Sequence, residues 1–302
     1  MMDFKKIELK DRDLFYKYIY PYNFMNCEYS FVTLLIWKDA CDIEYTVYKD
    51  ALIIKKRDFQ GKYSFMQPLG YSEENFKEIV DKLIEYKKEN GMDYLFEDVD
   101  EKFIKKIKNI YENPECLCVK EDRDNFDYLY ESEKLIKLSG KNFHNKKNHY
   151  NSFINEYDYE VKNIDEGKVS FDVIEAAEKW YEENKNKDKH LLYYELSGIK
   201  EIVRNFNYLN LQGIAVYVDD TIAGFTIGEK LNDDLAVIHI EKGDVNYRGI
   251  YSFINKTFVD RCFKDVKIIN REQDLGVEGL RNAKMSYQPL KLEKKFIFNY
   301  KC

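Results

Sequence analysis

The chain has 302 residues, 44% of them hydrophobic and 34% charged, with a formal net charge of −7. That length has room for about two domains of ordinary size, and the apolar share excludes wholesale disorder. The acidity disfavours a surface-wide nucleic-acid binder, because phosphate contacts draw on Lys and Arg; a local basic stretch can still serve.

The start, Met1-Met2-Asp3-Phe4-Lys5-Lys6, alternates charge and lacks the apolar run of a secretory signal. Residues 4–9 read as a strand, 11–18 as a helix and 28–37 as a second helix. The most apolar stretch, 31–37, is far too short to span a bilayer, so no transmembrane segment is expected. Residues 43–48, the turn Lys49-Asp50 and 52–56 form a β-hairpin. A strand at 63–67, a helix at 72–89 with Ser72 as N-cap, a strand at 93–97 and a helix at 101–110 follow. Residues 117–130 are extended, and 131–157 join the two halves and contain a helix of their own.

The second half repeats the order. Residues 159–164 read as a strand and 170–184 as an amphipathic helix, with Val173, Ala176, Ala177 and Trp180 at helical spacing. A helix at 193–206 precedes the hairpin 214–218, Asp219-Asp220 and 222–228. Then come a strand at 235–241, a helix at 249–263, a strand at 266–270, a short helix at 277–285 and a closing strand at 290–299. Val47-Tyr48-Lys49-Asp50 and Val216-Tyr217-Val218-Asp219 occupy the same place in each half, 169 residues apart. The order β-α-α-β-β-β-α-β-α-β resembles the GNAT acyltransferase fold. The expected architecture is therefore α/β (α+β): two tandem GNAT-like domains, residues 1–130 and 131–302, each a mixed, mostly antiparallel sheet flanked by helices.

The six cysteines, Cys27, Cys41, Cys116, Cys118, Cys262 and Cys302, are scattered without a C-x-x-C pair. They form no metal-ligand set and read as reduced thiols of a cytoplasmic protein.

The densest polar segment is Asn270-Arg271-Glu272-Gln273-Asp274, which follows a buried strand and precedes a short helix. Polar residues at the carboxyl end of a strand beside a helix start are a usual ligand-site arrangement; a solvated loop with Asp274 as cap is the plainer alternative. Asn270 to Gly276, Gly279-Leu280-Arg281, Ala283-Lys284 and Ser286-Tyr287 with Pro289 resemble the signature of the family sharing the phosphatidylglycerol lysyltransferase C-terminal domain. The resemblance covers nearly the whole chain. It implies aminoacyl transfer from aminoacyl-tRNA to an amine or hydroxyl, with anionic lipid or peptide as acceptor and kinship to the Fem-type transferases. Asn270, Arg271, Glu272 and Asp274 would then orient substrate, Arg281 and Lys284 would meet carboxylate or phosphate, and Glu241 and Tyr287 would handle protons. His239, two residues before Glu241, is expected on the same strand face.

Ordinary GNAT enzymes cradle the pyrophosphate of acetyl-CoA in an Arg/Gln-x-x-Gly-x-Gly/Ala loop. Here that place reads Val245-Asn246-Tyr247-Arg248-Gly249-Ile250-Tyr251, with Arg248 and Gly249 left to meet an anion and Tyr251 where a small residue is expected. Acetyl-CoA is thus the less favoured donor. Lys134, Lys137, Lys141, Lys146 and Lys147, with His144 and His149, make the most basic stretch, and Phe143, Tyr150 and Phe153 interleave with it. It fits tRNA or an anionic headgroup, and equally the polar face of a linker helix. Two alternatives to an aminoacyltransferase stay open: a non-catalytic GNAT pair that binds an amino acid, peptide or anion, and an acetyl-CoA-dependent N-acetyltransferase. No oligomeric state is specified.

Overall fold

Alternating and helical hydrophobic periodicities become two seven-stranded sheets in the computed structural model, which describes residues 2–111, 113–186 and 189–301. The elements run β1 (Lys5–Lys6), α1 (Arg12–Ile19), α2 (Phe31–Trp37), β2 (Glu44–Tyr48), β3 (Ala51–Arg57), β4 (Tyr63–Phe65), α3 (Glu73–Glu89), β5 (Phe96–Val99), α4 (Glu101–Ile110) and β6 (Leu117–Glu121). Next come β7 (Asp127–Glu131), α5 (Ser132–Lys137), α6 (His144–Glu156), β8 (Tyr159–Asn163), α7 (Val169–Asn184), α8 (Lys189–Arg204), β9 (Gln212–Val218), β10 (Thr221–Lys230) and β11 (Leu235–Gly243). The chain closes with α9 (Ile250–Cys262), β12 (Ile268–Asn270), α10 (Glu278–Met285), β13 (Lys291–Glu293) and β14 (Phe296–Tyr300).

Local chemistry explains the punctuation. Both hairpins turn on two residues with left-handed backbone, Lys49-Asp50 and Asp219-Asp220, the conformation that matches strand twist across a two-residue loop. Ser72 caps α3 by accepting from the Asn75 amide, and Asn75 returns a bond to the Ser72 amide. Ser30 caps α2 at the Thr33 amide, so the expected helix at 28–37 splits into a 3-10 turn at Cys27–Tyr29 and α2.

Two compact units result. The first comprises residues 1–24, 28–126 and 294–302, the second 25–27 and 127–293. Their sheets are ordered β1-β2-β3-β4-β5-β14-β6 and β13-β7-β12-β11-β10-β9-β8. Among the described residues, one neighbouring pair in each is parallel, β4 with β5 and β11 with β12, and the others are antiparallel. Each unit is therefore a mixed, mostly antiparallel sheet flanked by helices in the GNAT order.

The topology departs from a cut at residue 130/131. The stretch 117–130 divides into β6, which stays in the first sheet, and β7, which lies between β12 and β13 in the second. The expected closing strand 290–299 divides likewise: β13 edges the second sheet, and β14 lies between β5 and β6 in the first. Each sheet thus receives its sixth strand from the segment that follows the other unit. Alternation of apolar residues marks a strand but does not say which sheet it joins. The joining segment 131–157 supplies α5 and α6, both part of the second unit.

The first core gathers Phe65, Phe76, Leu83, Phe96, Phe103 and Phe298. In the second unit α5 and α9 cover one face of the sheet with Phe258, Val259 and Phe263, and α6 docks on α9 through Phe153 against Phe253, ring centroids 4.4 Å apart. Phe153 is fully buried, which contributes about 1.5–3 kcal/mol to holding α6 in place.

The expectation of six reduced thiols changes. Cys116 is disulfide-bonded, whereas Cys27, Cys41, Cys118 and Cys262 are thiols; Cys302 lies outside the described residues, as does Met1. Bonding follows approach in space, which scattered sequence positions do not reveal. Cys116 lies in a 3-10 turn, just ahead of Cys118 in β6. Among the described residues no helix is long and apolar enough to cross a membrane.

Candidate functional site

The candidate site lies in the second unit, where two parallel strands part. β11 and β12 pair only over Leu235–Val237 and Ile268–Asn270. Beyond that point β11 continues to Gly243, while the chain after Asn270 turns away through left-handed residues Glu272 and Leu275. The register of β10 against β11 also slips at Ile227/Gly228, leaving His239 in a bulge. Strand alternation breaks there: Ile238 and Glu241 both face α9, and His239 does not share Glu241's face as expected. Instead its two ring nitrogens lie 3.0 Å from Glu272 and 3.1 Å from Glu229. Burial works to lower the imidazole pKa, but these carboxylates outweigh it and raise it to about 9. The ring is a charged clamp between β10 and the turn.

Most of the expected substrate-orienting residues build that turn. Asn270, fully buried, donates to the Asp127 carboxylate (2.7 Å) and the Met25 carbonyl (2.8 Å), and accepts from the Glu272 amide. Asp274 receives Arg281 through Nε and Nη2, the Tyr128 hydroxyl at 2.5 Å and the Gly276 amide. Burial opposes ionisation of this carboxyl, yet these bonds hold its pKa well below the usual range. Lys284 reaches back to the carbonyls of Arg271 (2.5 Å) and Gln273 (2.6 Å). Its burial, partly countered by Glu272, lowers the ammonium pKa to about 8. Asn270, Glu272, Asp274, Arg281 and Lys284 are thus engaged within the turn or by Asp127, Met25, Tyr128 and His239, and they brace the backbone that carries Arg271.

Arg271 is the member of the segment aimed at the parted strands. Its Nη2 donates to Glu241 at 2.7 Å, its guanidinium stands 4.6 Å from the Tyr287 ring and 5.6 Å from the Tyr130 ring, and its Nη1 is buried with no hydrogen-bond partner. Burial opposes the charge, but the Glu241 carboxylate more than compensates and keeps it. The other Glu241 oxygen accepts from Asn255 of α9 at 2.9 Å. Tyr287 is buried, with its hydroxyl 3.4 Å from that of Ser252. Burial raises its pKa, so it keeps its proton. Lys146 comes from α6 to stand 4.1 Å from the Tyr287 ring centroid. Desolvation first, then the neighbouring Arg271, lowers its pKa to about 8, against a smaller opposing pull from Glu241. Glu241, Arg271, Tyr287 and Lys146 therefore converge: two cations, one carboxylate and one phenol with its proton in place. Such a group can polarise a carbonyl and pass protons.

Other expected residues stand apart. Lys147 is exposed on α6. Lys134 and Lys137 pair with Glu131 and Glu133. Arg248 is largely exposed, 3.8 Å from Glu156, and its amide donates to the Tyr157 hydroxyl. A Cβ on Gly249 would lie 2.0 Å from the His149 carbonyl oxygen. A backbone oxygen of α6 thus covers the start of α9, where the sequence pattern expects an anion to meet Gly249, and a carbonyl repels an anion. Ser252 and Asn255 were not among the expected residues. Their signal is two polar side chains three apart among Ile250, Phe253, Ile254 and Phe258, on a helix buried at those positions.

A family model described as phosphatidylglycerol lysyltransferase, C-terminal, matches residues 21–299. The crystal structure of a conserved protein of unknown function from Bacteroides thetaiotaomicron is similar over 100% of both chains, at 32% identity and a TM-score of 0.89. The structure of L-PGS from Bacillus licheniformis covers 98% of this chain and 93% of its own at 12% identity and a TM-score of 0.64, a likeness of fold. An uncharacterised protein of Mycoplasmoides gallisepticum is 28% identical over 179 residues, 58% of this chain. The match spans 56% of that protein, about half its length.

Proposed function

The chain belongs to the phosphatidylglycerol lysyltransferase C-terminal family, and from that premise we propose that its second unit moves an aminoacyl group from aminoacyl-tRNA to an amine or hydroxyl acceptor. The observation that carries this reading is the pair of cations, Arg271 and Lys146, over the buried Tyr287 ring beside Glu241.

In this reading the acceptor attacks the ester carbonyl. Its oxygen takes negative charge as the tetrahedral species forms, and Arg271 Nη1 with the Lys146 side chain stabilises it. An amine with a pKa of about 8 is partly neutral near pH 7.5, so Lys146 also takes the acceptor's proton in the fraction of molecules where it is uncharged. Collapse breaks the ester C–O bond, and the Tyr287 hydroxyl supplies a proton to the departing ribose oxygen. Tyr287 recovers that proton from Lys146. One C–N or C–O bond forms, one C–O bond breaks and one proton passes from acceptor to ribose. Glu241 is a positioning residue here, since both of its oxygens are engaged by Arg271 and Asn255.

The covered start of α9 supports aminoacyl-tRNA over acetyl-CoA as donor, because Gly249 lies against His149 where a pyrophosphate would need open amides. Lys141 and Lys147 are exposed around α6 beside His144 and His149, and the two lysines offer charge to tRNA phosphates or an anionic lipid headgroup.

The test incubates the full chain with radiolabelled aminoacyl-tRNA and either phosphatidylglycerol vesicles or small amines, beside labelled acetyl-CoA. Label should pass from tRNA to an acceptor, and Tyr287→Phe and Arg271→Lys should each slow it about 100-fold. Transfer from acetyl-CoA alone, or aminoacyl ligand binding without any transfer, would replace this reading.

A further inference from the structure

Three buried polar atoms without hydrogen-bond partners surround Glu241. They are Thr226 Oγ, Asn255 Oδ1 and Arg271 Nη1. Thr226 lies directly opposite Glu241 in the β10–β11 pair, so the two side chains share a face about 5 Å apart at Cβ. Asn255 and Arg271 each bind one oxygen of the Glu241 carboxylate. The orientation of Asn255 follows from chemistry: an ionised carboxylate only accepts, so the amide nitrogen must face Glu241 and the amide oxygen must face away. Thr226 and Asn255 are fully buried. Leaving such atoms unpaired is unfavourable, and an incoming group of matching polarity relieves it.

The polarity has two ends. Asn255 Oδ1 and the remaining lone pairs of Glu241 accept, and Thr226 Oγ accepts as readily as it donates. Arg271 Nη1 and Lys146 donate. A ligand that satisfies both ends carries several N–H donors at one end and a carbonyl oxygen a few bonds away. An α-ammonium and its acyl carbonyl have that form.

We propose that Glu241, Asn255 and Thr226 form a receptor for the free α-ammonium group of the transferred aminoacyl unit, so that the protein accepts unblocked aminoacyl donors and rejects Nα-acylated ones. The choice of ligand rests on the acyl-transfer reading above. An Nα-acyl group removes the positive charge and two of the three donors, and brings an apolar body against polar walls. Asn255 and Thr226 are then specificity residues, and the carbonyl end remains with Arg271.

The test uses the twenty L-amino-acid amides as stable stand-ins for the aminoacyl ester, with their Nα-acetyl forms, titrated into the full chain by calorimetry. At least one free amide should bind, and its acetylated form should bind at least about tenfold more weakly, roughly 1.4 kcal/mol. Thr226→Val should shrink that ratio by weakening the free amide alone, while Thr226→Ser keeps it, a pattern that loss of packing would not produce. Equal binding of free and acetylated amides, or no binding of any free amide at millimolar concentration, would overturn the proposal. Transfer from aminoacyl-tRNA, measured separately, distinguishes the two readings. Discrimination without transfer removes the enzyme and leaves the receptor; transfer without discrimination does the reverse.

Discussion

Replacing Gly249 by alanine tests how firmly α6 is seated. Gly249 has φ of +88°, and a Cβ there would lie 2.0 Å from the His149 carbonyl oxygen. An ordinary contact is about 3.5 Å, so α6 must retreat from α9 by roughly 1.5 Å. The left-handed backbone costs alanine about 1 kcal/mol and the displaced packing about 2 more. A total near 3 kcal/mol should lower the melting temperature of the second unit by about 10 °C in scanning calorimetry. The same retreat should be felt chemically, because Lys146 sits on α6 one turn before His149. Moved off the Tyr287 ring and into water, its ammonium should titrate closer to the usual lysine value than to about 8; carbon-13 methylated lysine resonances would follow it. Gly279→Ala is the control: that helical glycine has nothing within 4 Å of its Cβ position, and alanine should stabilise α10 by about 0.5–1 kcal/mol. A Gly249→Ala protein that melts like the parent, with Lys146 still at about 8, would refute the reasoning.

Removing Glu241 alone, as Glu241→Ala, leaves the Arg271 charge buried without its counterion and should cost about 3–5 kcal/mol; Glu241→Leu with Arg271→Met should cost less, which denaturant titration of both proteins checks. Lys146 and Lys284 both have pKa values lowered to about 8. Between about pH 8 and the unfolded lysine value near 10.4, the unfolded chain binds more protons at these sites, so their contribution makes stability rise with pH. The variant Lys146→Met should show a shallower rise across that window, and an unchanged slope would count against the lowered value. Asp274 gives the same sign in an acid window: its carboxyl is held below the usual range, so its stabilisation is present above about pH 4 and fades as the pH falls below that. Asp274→Asn should remove this acid sensitivity and loosen residues 270–276, visible as faster amide exchange at Gly276.

The elements were legible because their signals are local. Lys49-Asp50 and Asp219-Asp220 announce hairpins by residue type, and Ser72 announces a helix start. Arg271 was legible as polar density at a strand end. What escaped the sequence depended on approach in space. Asn270 and Lys284 offer N–H donors as Arg271 does, yet their partners are Asp127, Met25 and the carbonyls of the turn itself. His239 parted from Glu241 because it is the extra residue of a bulge in β11, which only the pairing with β10 reveals. Lys146 and Lys147 are adjacent in a basic run, and only the docking of α6 through Phe153 decides that one turns inward.

The exchange of β7 and β14 between sheets bears on how the protein is made. Strand β14 lies between β5 and β6 and pairs along its whole length with β6. A ribosome that has finished residues 1–126 has therefore not finished the first sheet: β6 has no neighbour until all of the second unit has been translated. Meanwhile β7 is ready before any other strand of its own sheet exists. Early chains present open strand edges, the species most prone to pair with one another. A gene cut at residue 130 should yield two fragments that stay insoluble apart and recover when coexpressed, each supplying the strand the other lacks.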